Sequence, residues 1–150
     1  MKHAVITGGS SGIGLAIAKL LWQRHYHLTL IARDLEKLTS VQTDLIASTP
    51  DSAQTIRIDS LDVSNSGAVQ KAISNAIETI GDIDLLINCA GICTPGHFIE
   101  QSAEIFETTM AVNYFGSLYL TQAVIPHMFC LLYTSPSPRD LSTSRMPSSA

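Results

Sequence analysis

The 150-residue sequence is poor in charge, in aromatic side chains and in cysteine. Only 15% of its residues are Asp, Glu, Lys or Arg, and the net charge is −4. It has no Lys/Arg cluster, which argues against a nucleic-acid or anionic-membrane partner. Cys89, Cys93 and Cys130 are too few and too unevenly spaced for a disulfide framework, so a reducing, intracellular compartment is the default. No His is placed to complete a metal-ligand set with Cys89 and Cys93. The five histidines are scattered, without a partner acid at catalytic spacing. Met1-Lys2-His3 runs straight into a strand-like Ala-Val-Ile-Thr, so no signal peptide is expected. The most apolar stretch, Ala111 to Tyr133, is interrupted by Asn113, Gln122, Pro126 and His127 and does not read as a membrane span.

What is present is 45% hydrophobic residues and nine glycines, the composition of one globular domain with a real core. The composition changes along the chain. Residues 134–150 hold six serines and three of the six prolines, with almost no large apolar side chains. Such a stretch cannot offset the entropy of ordering itself.

Before that stretch, strand-like and helix-like patterns alternate. Lys2–Thr7 reads as a buried strand ending in a Gly/Ser turn, and Ile13–His25 as a helix with an apolar stripe. His27–Ala32 is a second strand, followed by a helix from Leu35 to about Ala47 with Asp34 as its N-cap. Thr55–Val63 is a third strand. Asn65 or Ser66 opens a helix ending near Gly81, whose missing Cβ suits a left-handed cap. Ile83–Asn88 is a fourth strand. Ser102 to Met128 holds a short helix and then a long one, broken or ended near Pro126. Within it, Tyr114, Phe115, Leu118 and Leu120 read as helix packing. The alternation requires parallel strands covered on both faces, in the order 3-2-1-4, as in a doubly wound α/β sheet truncated after about four strands.

The motifs sit at the carboxyl ends of these strands, where open α/β sheets bind ligands. Thr7-Gly8-Gly9-Ser10-Ser11-Gly12-Ile13-Gly14 joins the first strand to the first helix. Its glycines let the backbone turn sharply and approach a pyrophosphate at the helix N-terminus, with Ser10, Ser11 and Ile13 lining the same turn. Arg33 stands at the tip of the second strand, where an acidic residue would bind a ribose 2′-hydroxyl and an Arg accommodates a 2′-phosphate. Lys37, one helical turn on, can reach the same phosphate. Asp34 competes as an acidic candidate, but capping the helix leaves Arg33 to face the cofactor, so NADP(H) is favoured over NAD. Asp62 can accept from an adenine amino group while Val63 packs on the ring. Asn88, Cys89, Ala90 and Gly91 put small residues where the backbone must pass close to a ribose.

Together Thr7–Gly14, Asp62, Asn88–Gly91 and Asn113 make residues 1 to about 129 resemble a short-chain dehydrogenase/reductase with a Rossmann-type fold. Within that family the motifs look most like those of the 3-ketosphinganine reductases, with Cys89 where the wider family more often has Asn. The resemblance implies pro-S hydride transfer from NADPH to a ketone. A Tyr would donate the proton, a Lys four residues later would lower that Tyr's pKa, and a Ser would hold the carbonyl. An Asn would support a water relay, and Asn113 matches its position. The Tyr and Lys have no counterpart, because Tyr26, Tyr114, Tyr119 and Tyr133 are followed four residues later by Leu30, Leu118, Ala123 and Ser137. The family's Ser is absent as well. The chain as written is therefore expected to be inactive.

The resemblance also implies a small lipid-like ketone as substrate, with the cytoplasm or the cytosolic face of the endoplasmic reticulum as compartment. In the family the long helix often builds a dimer interface, which admits an exposed apolar stripe and a homo-oligomer of the whole protein. Other short-chain reductases, of 3-oxoacyl thioesters or steroids, and a nonenzymatic dinucleotide-binding module are the alternatives. Residues 130–150 do not follow the family. They resemble an in-frame translation of a sequencing adapter, with two constant blocks flanking a spacer, Leu141–Thr143, of index length; the alternative is a natural Ser/Pro-rich tail. The expected organisation is an incomplete NAD(P)-binding domain, 1–129, and an artefactual, disordered tail, 130–150.

Overall fold

The computed structural model describes residues 1–50 and 53–133. Strand β1 is His3–Thr7, β2 His27–Ala32, β3 Ile56–Ser60 and β4 Leu85–Asn88. Helix α1 is Gly12–Gln23, α2 Leu35–Ser48, α3 Ser66–Ile80, α4 Ala103–Met110 and α5 Ser117–Tyr133. A short 3-10 turn covers Phe98–Glu100, and a π-helical segment, Ala111–Gly116, joins α4 to α5. The four strands form one parallel sheet in the order β3-β2-β1-β4, the expected Rossmann-type half.

Strand alternation divides the core in two. Ala4 and Ile6 of β1 and Leu28 and Leu30 of β2 face one side, against Ala18, Leu21 and Trp22 of α1 and Leu38, Val41 and Leu45 of α2. Val5 and Ile31 face the other, with Val69 and Ile73 of α3 and Leu120, Ala123 and Val124 of α5. Both faces of β1 and β2 are dry, which explains their near-continuous apolar runs.

Several boundaries differ from the sequence expectation. β3 stops at Ser60 because β2, its neighbour in the sheet, ends at Ala32, the register partner of Ser60. The Leu61 N–H closes the ladder on the Ala32 carbonyl, and Asp62 then folds into a turn with Ser64. Gly81 has φ 110° and ψ −170°, a glycine conformation outside the left-handed helical region expected of it. α5 passes through Pro126 to Tyr133, four residues into the segment set apart as a tail. The proline sits on an exposed face while Leu120, Ala123 and Val124 are buried, so packing holds the helix across the lost hydrogen bond. The rest of that segment, 134–150, lies outside the described residues.

Tyr114 and Phe115 are also not core. They are 56% and 42% exposed, with rings 5.2 Å apart and edge-on, and Phe115 continues toward Tyr119 at 6.1 Å. Leu120 is buried as expected. Tyr114 and Phe115 both lie in the π segment, whose buried residues are Val112 and Gly116.

Candidate functional site

The carboxyl ends of β1, β2 and β4 open onto a cleft of about 370 Å³. Its floor is the turn from Gly8 to Gly14. Gly8 has φ 66°, and a Cβ there would stand 2.9 Å from the Cys89 carbonyl oxygen. A Cβ on Gly14 would run into the Gly8 carbonyl. Gly12, at φ 53°, borders open space and is needed for its conformation alone. Ser11 is the N-cap of α1 and makes no side-chain cap bond, so the first N–H groups of that helix face the cleft without a side-chain acceptor.

Arg33, Asp34 and Lys37 form one wall. Asp34 caps α2, accepting the Lys37 N–H at 3.0 Å, and its other oxygen lies 3.2 Å from the Lys37 ammonium. That N–H, then the Lys37 side chain, holds the Asp34 carboxyl below the usual carboxylate range. Arg33 has no ion-pair partner among the described residues. Of the two cations expected at this wall, Lys37 is engaged by the cap and Arg33 is available.

Asp62 and Val63 close the far side. Asp62 Oδ1 accepts the Ser64 N–H at 2.9 Å and the Ser64 hydroxyl at 2.7 Å. These two bonds, with a smaller contribution from the Arg33 charge, depress its pKa and keep it an acceptor at neutral pH. Val63 is buried against Gly116.

Ala90 and Gly91 complete the cleft as expected, but Asn88 does not line it. Its side chain is exposed at the end of the edge strand β4. Asn113 does not line the cleft either. Its carboxamide is occupied on both sides by one residue: Oδ1 accepts the Ile92 N–H at 2.8 Å and Nδ2 donates to the Ile92 carbonyl at 2.9 Å. From the π segment it clamps the loop that carries Gly91 and Ile92 along the cleft.

Cys89 also lines the cleft, and so do Ala32, Leu61, Ile92 and Val112, which were not singled out by sequence. Thr7 opens the glycine motif, but its bonding role was not foreseen. Its buried Oγ1 accepts the N–H groups of both Cys89 and Ala90 at 3.0 Å, tying the end of β1 to the turn after β4. The described residues contain no group of three or more His, Cys, Asp or Glu that could hold a metal. None of their helices is long and apolar enough to cross a membrane.

The family model for short chain dehydrogenases matches residues 2–132. The chain belongs to the short chain dehydrogenase family. A 3-ketodihydrosphingosine reductase of Dictyostelium discoideum is 43% identical over 139 residues, covering 85% of this chain and 42% of that protein. One of Mus musculus is 39% identical over 127 residues, covering 84% and 38%. Among solved structures, the alcohol dehydrogenase of Thermococcus sibiricus complexed with 5-hydroxy-NADP has a TM-score of 0.79 and 32% identity, covering 85% of this chain and 53% of that one. The L-sorbose reductase of Gluconobacter frateurii, complexed with NADPH and L-sorbose, has a TM-score of 0.80 and 27% identity, covering 87% and 48%. The chain thus spans about two fifths of the length of these curated relatives and about half that of these solved structures.

Proposed function

We propose that the protein is part of an NADP(H)-dependent ketone reductase whose substrate is 3-ketosphinganine. The observation that carries the cofactor reading is the available guanidinium of Arg33 on the wall of a glycine-floored cleft. The fit is specific at both ends of a dinucleotide. The Gly8–Gly14 turn and the start of α1 would take the pyrophosphate, because no Cβ crowds the approach and the helix N–H groups point there. Arg33 would hold a 2′-phosphate, with Lys37 beside it once that side chain leaves Asp34. Asp62, already ionised, would accept from the adenine amino group, and Ala90 and Gly91 would leave room for a ribose. Bound NADPH would supply a hydride to a ketone carbon. Asn113 would serve as a positioning residue through its hold on Ile92.

The substrate reading rests on the likeness to 3-ketodihydrosphingosine reductases, at 43% and 39% identity. The cytoplasm, or the cytosolic face of the endoplasmic reticulum, is the compartment we propose, and a homo-oligomer the assembly of the whole protein. Within the 150 residues no Tyr-x-x-x-Lys offers a proton to the developing alkoxide. This chain is therefore expected to bind NADPH without oxidising it in the presence of 3-ketosphinganine. A chain extended to the relatives' length should consume NADPH with 3-ketosphinganine in preference to a 3-oxoacyl thioester or a steroid. Absorbance at the NADPH band reads both. Ketone-dependent oxidation by the 150-residue chain would overturn its expected inactivity. An extended chain that binds NADPH but reduces no ketone would favour a nonenzymatic dinucleotide-binding module.

A further inference from the structure

At the end of the sheet opposite the cleft, His3 is 2% exposed and every polar group it carries is engaged. Its main-chain N–H donates to Asp84 Oδ2 at 2.8 Å, and its carbonyl accepts the Asp84 N–H at 2.9 Å. In the ring, Nδ1 lies 3.0 Å from the Gly81 carbonyl and Nε2 2.9 Å from the Thr29 hydroxyl. A carbonyl only accepts, so Nδ1 carries the hydrogen and Nε2 accepts from Thr29. One side chain thus joins β1, β2 and the turn that leads from α3 into β4.

We infer that His3 is an acid-sensitive clasp: protonating its ring loosens the turn at Gly81–Asp84 and with it the seating of β4. A protonated ring would turn Nε2 into a donor. The Thr29 hydroxyl, fully buried, would then have to send its hydrogen elsewhere, and no other acceptor engages it among the described residues. β4 is the element exposed to this change. It has four residues and, among the described residues, lies at the edge of the sheet and pairs with β1 alone. Its far end leads into the Cys89–Gly91 wall of the cleft.

Burial is the largest influence on the His3 charge and lowers its pKa below the ordinary imidazole value. The Gly81 carbonyl opposes that lowering, His27 on β2 adds to it, and Asp84 and the Asp82 backbone on the turn oppose it. The folded state therefore binds this proton less readily than the unfolded chain. Its stabilising effect is complete above the ordinary value of about 6.5 and is lost as pH falls below it, down to the folded-state value. The clasp stands independently of any cofactor.

Hydrogen exchange of the β4 amides, Leu85–Asn88, at pH 7.5 and 5.5 tests it. Expressed as protection factors, β4 protection should fall below pH 6.5 with a one-proton limit of about tenfold per pH unit. His3→Asn, which keeps a donor for Gly81 but does not titrate, should abolish that dependence, and His27→Gln should retain it. Unchanged wild-type protection, or an equal fall in His3→Asn, would overturn the clasp. Should His3→Asn fail to fold, NMR titration of the wild-type rings decides. β4 protection following the His3 midpoint supports the clasp, and protection following the His27 midpoint contradicts it.

Discussion

Replacing Gly14 by alanine is expected to abolish measurable dinucleotide binding and to lower the melting temperature by about 2–12 °C, the range for overpacking a domain of this size. The new methyl group would clash with the Gly8 carbonyl. It cannot be absorbed by a rotamer change, because the obstacle is backbone and Gly8 is itself packed against Cys89. The turn would have to open where a pyrophosphate needs it closed. Gly12→Ala is the control: nothing lies near its Cβ, and its left-handed φ of 53° costs roughly 1–2 kcal/mol. Thermal melts with NADPH titrations distinguish the two variants. A Gly14→Ala protein that binds as the wild type does would show that close backbone approach is not what this turn provides.

The second large effect is expected at Thr7. Thr7→Val keeps the shape and removes the acceptor of two N–H groups, those of Cys89 and Ala90. Leaving a buried donor unpaired costs about 1–3 kcal/mol. Cys89 and Ala90 are half-buried, so denaturant unfolding should show a loss of about 1–3 kcal/mol in all. Because Cys89 and Ala90 line the cleft, dinucleotide affinity should fall with stability. Thr7→Ser retains the hydroxyl and should stay close to wild type in both. A Thr7→Val protein as stable as the wild type, or a Thr7→Ser protein that loses as much as Thr7→Val although it keeps the hydroxyl, would contradict this role of the hydroxyl.

These two residues mark how far the sequence could be read. Gly14 was legible because a glycine in the first strand–turn–helix unit has one physical reading: backbone must pass where a Cβ would stand. Asp34 was legible for a similar reason. A short acidic residue just before a helical stripe caps it locally, and the cap leaves Arg33 as the cation to consider. Thr7 left no such signal. Its partners lie 82 and 83 residues away, and at the end of an apolar strand a threonine looks like any β-branched residue.

The π segment was hidden too, since an apolar 3.6-residue pattern does not reveal one inserted residue. Within that segment Tyr114 and Phe115 are exposed and Asn113 is bound to the backbone of Ile92. Asn88 pairs with Thr7 at the end of β4 and is not among the residues that line the cleft, a placement that the sequence motif does not reveal. Local chemistry was readable, and contacts set by register were not.

The most direct measurement of the cofactor assignment is a paired titration of wild type and Arg33→Asp with NADPH and NADH. Wild type should prefer NADPH. The substitution removes charge-assisted bonds to a 2′-phosphate and should weaken NADPH by roughly 1.5–3 kcal/mol, about one to two decades in Kd, with NADH changed little. Equal loss for both cofactors, or a wild type that binds NADH as tightly as NADPH, would contradict the assignment.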